Sequence, residues 1–163
     1  YFLAVGRLIH YKNFDLIIEA FNELNLPLKI IGTGAEEKRL RAKIRSPLIE
    51  MLSFVPNDDQ LRRYYNEAKA LVFANTEDFG LVMAEAQACG TPVIALAAGG
   101  ALEIVRENVT GIFFAEPDAA KLAQAVRRFA ALSFNRLAIS RAVQRFSPAV
   151  FAANLQEHLK KLS

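Results

Sequence analysis

Residues 77–85, with the sequence Glu-Asp-Phe-Gly-Leu-Val-Met-Ala-Glu, lie where we expect a strand to be followed by a helix. The preceding residues 70–74, Ala-Leu-Val-Phe-Ala, form a short apolar run, which predicts a buried strand. The helix is expected to continue through the apolar residues that follow and to end at Gly90, because glycine ends helices readily and a proline comes shortly afterwards. Gly80 therefore marks the point at which the strand turns into the helix.

The chemistry of this stretch favours a phosphate-containing sugar ligand. The start of a helix carries free N–H groups and a partial positive charge, and Gly80 has no side chain to block a close approach. Glu77 precedes the helix and Glu85 lies in its second turn, so the two carboxylates can flank an anion held between them. Carboxylates accept paired hydrogen bonds from vicinal hydroxyls, as on a ribose or a hexose. A simpler interpretation is that these acids only complement the helix dipole and that Glu85 is an ordinary surface residue.

Composition limits the classes of protein to be considered. The chain has 163 residues, of which 53% are hydrophobic and 23% charged, so we expect one domain with a real core. The formal net charge of +3 is too small to predict nucleic-acid binding. A single cysteine, Cys89, excludes an intrachain disulfide and a cysteine-based zinc site, and we expect it to be a small core residue.

The chain shows no signal peptide and no apolar run near the ~18 residues that span a membrane. Together with the single cysteine, this predicts a cytoplasmic location. Because the sequence begins at Tyr1 and enters strand-like residues at once, we expect a fragment of a longer protein.

Strands alternate with helices along the whole chain. This pattern predicts an α/β fold with a Rossmann-like parallel sheet of about six strands, helices on both faces and right-handed connections. Strands are expected at residues 2–5, 28–31, 49–54, 70–74, 92–95 and 111–114. Helices are expected at residues 14–24, 35–45, 57–67, 80–89, 101–107, 118–132, 135–145 and 148–162. Such sheets bind ligands beyond the carboxyl ends of their strands, where residues 6–7, 32–34, 55–56, 77–80 and 99–100 all fall.

Two cations lie at the same edge. Arg7 follows the first strand, and Lys12 comes five residues later. Such a pair would neutralise a diphosphate and stabilise it as a leaving group without a metal. The alternative is two exposed basic residues on a loop. We predict no metal site, since Asp58-Asp59 lacks the one-residue spacing of a metal-binding pair. Separately, residues 32–34, Gly-Thr-Gly, form an incomplete dinucleotide-binding motif, and we interpret them as a turn.

With these residues placed, the chain resembles the C-terminal, donor-binding domain of the group 1 family of retaining glycosyltransferases, which have two Rossmann-like domains (the GT-B type). The similarity spans roughly residues 1–126. It is carried by these motifs: Gly6-Arg7-Leu8 followed by Lys12; Ile31-Gly32-Thr33-Gly34; Glu77-x7-Glu85 with Phe79-Gly80 inside; residues 85–95, Glu-Ala-Gln-Ala-Cys-Gly-Thr-Pro-Val-Ile-Ala; Gly99-Gly100 with Glu103; and Asn108-x-Thr110-Gly111. Residues 77–80 and 99–103 look most like a mannosyltransferase subgroup.

The resemblance implies a role for each matching residue. Arg7 and Lys12 would contact the donor diphosphate, and Glu77 would lie beside the transferred sugar; these three form the expected catalytic set. Glu85 would bind the ribose, and the backbone at Val55 would contact the base. The other expected donor-binding residues are Gly6 and, through their backbone, Phe79, Gly80 and Leu81. The chain departs from the family at Asn13, where a glycine is frequent.

The resemblance further implies transfer of a hexose, with GDP-mannose as the expected donor, to a glycan or lipid-linked acceptor in polysaccharide biosynthesis, without a metal or other cofactor. The acceptor site and general base of the family lie in or near an N-terminal domain absent from this chain, so we expect the 163 residues to be inactive alone. Lipid-linked acceptors imply peripheral contact of the full-length protein with the inner face of the membrane. In the family the C-terminal helix crosses back toward the other domain, so we expect apolar positions of the last helix to be partly exposed in this chain and to favour self-association. These positions are Phe151, Leu155, Leu159 and Leu162.

Two other functions stay open. A non-catalytic nucleotide-binding or regulatory module could share the fold, although the intact Arg7, Lys12, Glu77 and Glu85 favour the enzyme. Among enzymes, a UDP-sugar transferase is the alternative, since the base is selected by the shape of the pocket around Val55.

Overall fold

A computed structural model describes residues 1–162, and of Leu162 the backbone alone. The strands are β1 (Phe2–Val5), β2 (Leu28–Ile31), β3 (Ile49–Leu52), β4 (Leu71–Phe73), β5 (Val93–Leu96) and β6 (Gly111–Phe114). The helices are α1 (Phe14–Leu24), α2 (Glu37–Lys43), α3 (Asp58–Glu67), α4 (Leu81–Ala88), α5 (Ala101–Ile104), α6 (Ala119–Phe129), α7 (Arg136–Val143) and α8 (Pro148–Leu162). Short 3-10 turns lie at His10–Lys12 and Gln144–Phe146.

The six strands form one parallel sheet in the order β3-β2-β1-β4-β5-β6. The chain moves from β1 outward through β2 to β3 and then returns to β4, on the other side of β1. The strand order therefore reverses between β1 and β4, and ligands of open α/β sheets bind beyond such a switch point. The predicted α/β fold is confirmed.

Helices cover both faces of the sheet. Successive strand residues point to opposite faces, and on β1 Phe2 and Leu3 belong to two separate apolar clusters. The cluster of Phe2 contains side chains of α1, α2 and α6, whereas that of Leu3 contains side chains of α3, α4 and α5. The helix that carries Glu85 is thus fixed on the same face as α3.

Several predicted boundaries are correct and others are wrong. The predicted limits of β1, β2, β6, α1 and α8 agree with the structure, whereas α2, α6 and α7 are shorter than predicted. The third strand ends at Leu52, not at residue 54, because its neighbour β2 ends at Ile31, the partner of Leu52. Gly32 closes this pairing by donating its N–H to the Leu52 carbonyl at 3.0 Å. Phe54 beyond it is 75% exposed.

The helix after Gly100 is also shorter than predicted, ending at Ile104 and not near residue 107. Val105 is extended, with φ −90° and ψ 131°. The next residue, Arg106, donates its N–H to Thr110 Oγ1 at 2.8 Å, and a bridge pairs Glu107 with Gly111. These bonds turn the chain directly into β6.

Helix α8 differs from the others because it is exposed along its described length. It packs mainly on the preceding turn at Gln144–Phe146. The side chains of Phe151, Leu155 and Leu159 are 65%, 46% and 54% exposed, which agrees with the exposure predicted for them. The side chain of Leu162 lies outside the described part of the chain. None of the helices described is long and apolar enough to cross a membrane.

Candidate active site

The loops that follow β1 and β2 pack against each other at the carboxyl edge of the sheet. Leu8 donates its N–H to the carbonyl of Thr33 at 2.9 Å. A Cβ at Gly32 would lie 1.8 Å from the Gly6 carbonyl oxygen, and one at Gly34 would lie 2.3 Å from the Leu8 carbonyl oxygen. Glycines are therefore needed here so that two backbones can touch. The interpretation of residues 32–34 as a turn agrees with this packing.

The loop after β5 packs in the same way against the loop that carries Glu77. Gly100 donates its N–H to the Glu77 carbonyl at 2.7 Å. A Cβ at Gly100 would lie 2.6 Å from the carbonyl oxygens of both Asp78 and Phe79. The Glu77 loop is thus fixed from the β5 side by backbone contact.

Gly80 has the conformation that its position requires. Its φ of 80° and ψ of 53° are left-handed, a region that glycine enters without strain. The next residue begins α4, and Met83 donates its N–H to the Gly80 carbonyl at 3.0 Å. The predicted change from strand to helix at this glycine is confirmed, with the start of α4 at the carboxyl edge.

Lys12 and Glu77, two of the three predicted catalytic residues, form an ion pair. Their side chains are only 17% and 20% exposed, so the pair is largely shielded from water. The Lys12 ammonium also lies 5.3 Å from the centre of the Tyr11 ring. Burial lowers the pKa of Lys12, and the positive charge of Arg7 lowers it further. Arg7 is therefore near enough to influence Lys12, although it is itself exposed.

Asn13 holds the loop that carries Lys12. It is left-handed, with φ 54° and ψ 33°, and forms the junction between the turn at His10–Lys12 and α1. Asparagine tolerates this conformation better than most residues other than glycine. Its Nδ2 donates to the Ala74 carbonyl at 2.9 Å, just beyond β4. Asn13 thus has a backbone conformation that glycine would also tolerate, and it adds a bond that ties the Lys12 loop to the end of the strand before Glu77.

Glu77 lines a depression of about 430 Å³ that lies at the start of α4. The predicted donor-binding residues Phe79, Gly80 and Leu81 line it as well, together with Tyr11. The Phe79 ring is 49% exposed and meets the ring of Phe146 edge-on at 5.7 Å. The fold therefore brings Tyr11, from the loop after β1, to the predicted site residues of this stretch.

Glu85 lines a second depression, of about 340 Å³, between α3 and α4. Its Oε2 accepts a hydrogen bond of 2.9 Å from the hydroxyl of Tyr65, whose side chain is buried. Burial raises the pKa of Tyr65, and the charge of Glu85 raises it further. Cys89, expected in the core, is half-buried at the rim. The two glutamates thus line different depressions, one at the start of α4 and the other farther along α4, beside α3.

The sequence analysis did not predict Tyr65 as part of the site, and for Val55 it predicted only a backbone contact with the base. Val55 is half-buried and packs against the cluster that contains Tyr65. Tyr65 lies four residues after Leu61, on the same face of α3, so it could have been expected to point inward. A buried tyrosine hydroxyl needs a partner, and this requirement was the signal that could have linked it to an acid at the carboxyl edge.

Among the described residues, no group of three or more His, Cys, Asp or Glu side chains is placed to hold a metal ion. The ammonium of Lys12, the carboxylate of Glu77 and the start of α4 are groups that bind phosphates and hydroxyls. The family model described as "Glycosyl transferases group 1" matches residues 1–145. The chain belongs to this family. The family resemblance inferred from the motifs is confirmed, whereas the comparisons do not show a mannosyltransferase subgroup.

Curated relatives of this group 1 glycosyltransferase domain are longer than the chain. A D-inositol 3-phosphate glycosyltransferase of Geodermatophilus obscurus is 36% identical over 143 residues, which cover 77% of this chain and 32% of that protein. An uncharacterized glycosyltransferase of Methanocaldococcus jannaschii is 35% identical over 121 residues, covering 68% of this chain and 30% of that protein. The chain spans about a third of the length of these relatives.

Solved structures share the fold over nearly the whole chain. The apo lipopolysaccharide outer core galactosyltransferase WaaB matches with a TM-score of 0.89 at 18% identity, over 99% of this chain and 49% of that one. Anabaena HepE in complex with UDP matches with a TM-score of 0.81 at 24% identity, over 99% and 49%. Sucrose-phosphate synthase of Thermosynechococcus elongatus has a TM-score of 0.81 at 27% identity, over 99% and 46%. The group 1 domain therefore has the Rossmann-like fold of one half of a GT-B enzyme.

Proposed function

We propose that this chain is the donor-binding domain of a retaining glycosyltransferase, which transfers a hexose from a nucleotide diphosphate sugar to an acceptor. The observation that carries the proposal is the Lys12–Glu77 pair beside the start of α4, at the switch point between β1 and β4. A cation, an acid and free helix N–H groups meet there. This combination suits a ligand that joins phosphates to hydroxyls.

Lys12 and Arg7 would hold the diphosphate, which is also the leaving group. The N–H groups at the start of α4 face the same edge and add partial positive charge. As the bond between sugar and phosphate breaks, negative charge grows on the diphosphate, and cations already in place stabilise it. Because Lys12 is paired with Glu77, the ligand would share the lysine with the acid, and Glu77 would accept bonds from the hexose hydroxyls.

The remaining residues would bind the rest of the donor. Glu85 would accept from the ribose hydroxyls, the backbone of residues 79–81 would approach the sugar and phosphates, and the backbone at Val55 would contact the base. We propose that no metal takes part. The chain's resemblance to a mannosyltransferase subgroup at residues 77–80 and 99–103 supports GDP-mannose. HepE structures with UDP and with UDP-glucose support a UDP-sugar as the competitor.

The acceptor would bind through a second domain. Each of the three structures compared is about twice as long as this chain, which supports a partner domain with the acceptor site and general base. The exposed apolar side chains of α8 would pack against that domain or, in its absence, favour self-association. A glycan or lipid-linked acceptor at the inner face of the membrane is our proposal, and the names of the curated relatives add inositol phosphate as one to test. A purely regulatory nucleotide-binding module would not need the Lys12–Glu77 pair.

Calorimetry with GDP, UDP, GDP-mannose and UDP-glucose tests the proposal. We expect one base to be preferred, and Arg7→Ala and Glu85→Ala each to weaken binding by roughly ten- to a hundredfold, since each removes a charge-assisted hydrogen bond. Lys69→Ala, an exposed lysine before β4 at the opposite edge, is the matched control and should bind as the wild type does. The proposal would be contradicted if none of the four ligands bound either this chain or the two-domain protein. Sugar transfer by the 163 residues alone would contradict the need for a second domain.

A further inference from the structure

We propose that Tyr65 is a positioning residue for nucleotide recognition, which orients the Glu85 carboxylate toward the ribose hydroxyls. The inference rests on the proposed function. The hydroxyl of Tyr65 donates to Glu85 Oε2 at 2.9 Å, from a buried ring on α3 to an exposed acid on α4. Tyr65 is only 2% exposed, so it would act on the nucleotide through the carboxylate of Glu85.

The orientation of Glu85 needs such a bond. A glutamate on the surface of a helix can adopt many rotamers, and fixing one when a ligand binds costs affinity. Two vicinal hydroxyls must meet the carboxylate in a defined orientation. Because Tyr65 engages Oε2 before the ligand arrives, Oε1 and the remaining lone pair of Oε2 are set for the ligand.

Tyr65 is suited to this task because its own position is fixed. Thr91 Oγ1 donates to the Tyr65 carbonyl at 2.6 Å. Arg136 Nη2 donates to the carbonyl of Asn66 at 2.7 Å and to Thr91 Oγ1 at 3.2 Å. The end of α3, the turn after α4 and the start of α7 are thereby held together. The phenol is a fixed donor, and the carboxylate is the part that it orients.

The chemistry of the pair also favours a role in binding over a role in packing alone. A buried tyrosine could satisfy its hydroxyl with a backbone carbonyl at little cost. Here the hydroxyl donates to an acid that lines an open depression of about 340 Å³. Burial and the charge of Glu85 raise the pKa of Tyr65, so the phenol stays protonated and remains a donor at every ordinary pH.

The test compares a ribonucleoside diphosphate with its 2′,3′-dideoxy counterpart, using GDP or UDP according to which binds. The ratio of the two dissociation constants measures the contribution of the ribose hydroxyls. We expect this ratio to be about tenfold or more in the wild type and to fall to about two- to threefold in Tyr65→Phe. Affinity for the dideoxy nucleotide should be unchanged in Tyr65→Phe, which shows that the rest of the site is intact.

Two further variants make the test specific. Tyr64→Phe removes a hydroxyl from the neighbouring residue of α3, a half-buried tyrosine whose ring lies 5.6 Å from Lys29 Nζ, and it should keep the wild-type ratio. Glu85→Ala should lower the ratio of dissociation constants to about one. The double variant Glu85→Ala/Tyr65→Phe should have the same ratio as Glu85→Ala alone.

The outcomes separate this inference from the proposed function. A ribose preference that depends on Glu85 but survives Tyr65→Phe would overturn the role of Tyr65 and leave the donor site standing. Equal losses of affinity for both nucleotides in Tyr65→Phe would show a structural role only and would also overturn it. Absence of any ribose preference in a wild-type protein that still binds the nucleotide would overturn this inference and the ribose role of Glu85, whereas absence of all binding would overturn the proposed function.

Discussion

Glu77 and Glu85 are eight residues apart, yet their surroundings differ in kind. Glu77 lies on a loop held by other loops, and its carboxylate pairs with the Lys12 ammonium. Glu85 lies on a helix held by another helix, and its carboxylate accepts from the neutral Tyr65 hydroxyl. A ligand at Glu77 must enter an existing ion pair, whereas a ligand at Glu85 meets a carboxylate that is already bonded by a neutral hydroxyl. The two regions therefore differ in the group that a ligand must share or displace, which is a charged ammonium at Glu77 and a neutral hydroxyl at Glu85.

Gly100→Ala is expected to have the largest effect and to damage only the Glu77 region. The new Cβ would lie 2.6 Å from the carbonyl oxygens of Asp78 and Phe79, and backbone cannot move aside as a flexible side chain can. The φ of Gly100 is −58°, so the cost comes from overlap and not from backbone strain. We expect a loss of about 3 kcal/mol in the free energy of unfolding, measured by denaturant titration.

Ala97→Ser is the control for Gly100→Ala, since it changes an exposed residue of the same loop. It should alter the free energy of unfolding by less than about 0.5 kcal/mol. Donor binding should also be weakened in Gly100→Ala, while the preference for ribose over dideoxyribose should persist. Loss of that preference would show that the two regions are not independent.

Lys12→Met comes next in size and tests whether the ion pair acts on phosphate. Methionine keeps much of the apolar stem and removes the charge, so the diphosphate loses one charge-assisted bond and Glu77 loses its partner. We expect nucleoside diphosphate affinity to fall about thirtyfold, measured by calorimetry, with a much smaller change for the nucleoside. Lys69→Met at the opposite edge should change neither. Equal losses for nucleoside and diphosphate in Lys12→Met would contradict a phosphate role.

The elements of the fold and their boundaries differ in how far the sequence predicts them. Apolar runs bounded by turn residues predicted all six strands and the helix that begins after Gly80, because local pattern determines these elements. The ends of β3 and α5 were wrong, because β3 stops where its neighbour stops and α5 stops where the chain turns into β6. A boundary set by a neighbouring segment is not contained in the local pattern.

Within the site, too, the sequence predicts the groups at strand ends but not the bonds between distant segments. Glycines, acids and cations at strand ends predicted the Glu77 region, because parallel strands carry their carboxyl ends to one edge. The bonds that complete the regions join distant segments: Asn13 to Ala74, and Tyr65 to Glu85. These bonds depend on how a loop or a helix is placed relative to another, which the sequence motifs do not specify.

Substitutions of Asn13 are expected to have the smallest effect on stability. Two of them separate the contribution of its side-chain bond from that of its left-handed backbone. Asn13→Gly keeps the left-handed backbone and loses only the bond to Ala74, so we expect the free energy of unfolding to fall by about 1 kcal/mol. Asn13→Ala adds the strain of a left-handed alanine, for a total of about 2 kcal/mol.

Asn25 is the matched control for Asn13, since it is also left-handed and ends α1 on the side away from the site. Its Oδ1 accepts from Ser46 Oγ, so alanine and glycine there should produce similar losses of stability. Only the Asn13 variants should also weaken diphosphate binding, by a few fold, because only Asn13 ties the Lys12 loop to the strand before Glu77. If Asn25→Ala weakened binding as much as Asn13→Ala does, the effect would be one of general stability, and the Glu77 region would not depend on its loop contacts in the way that its structure implies.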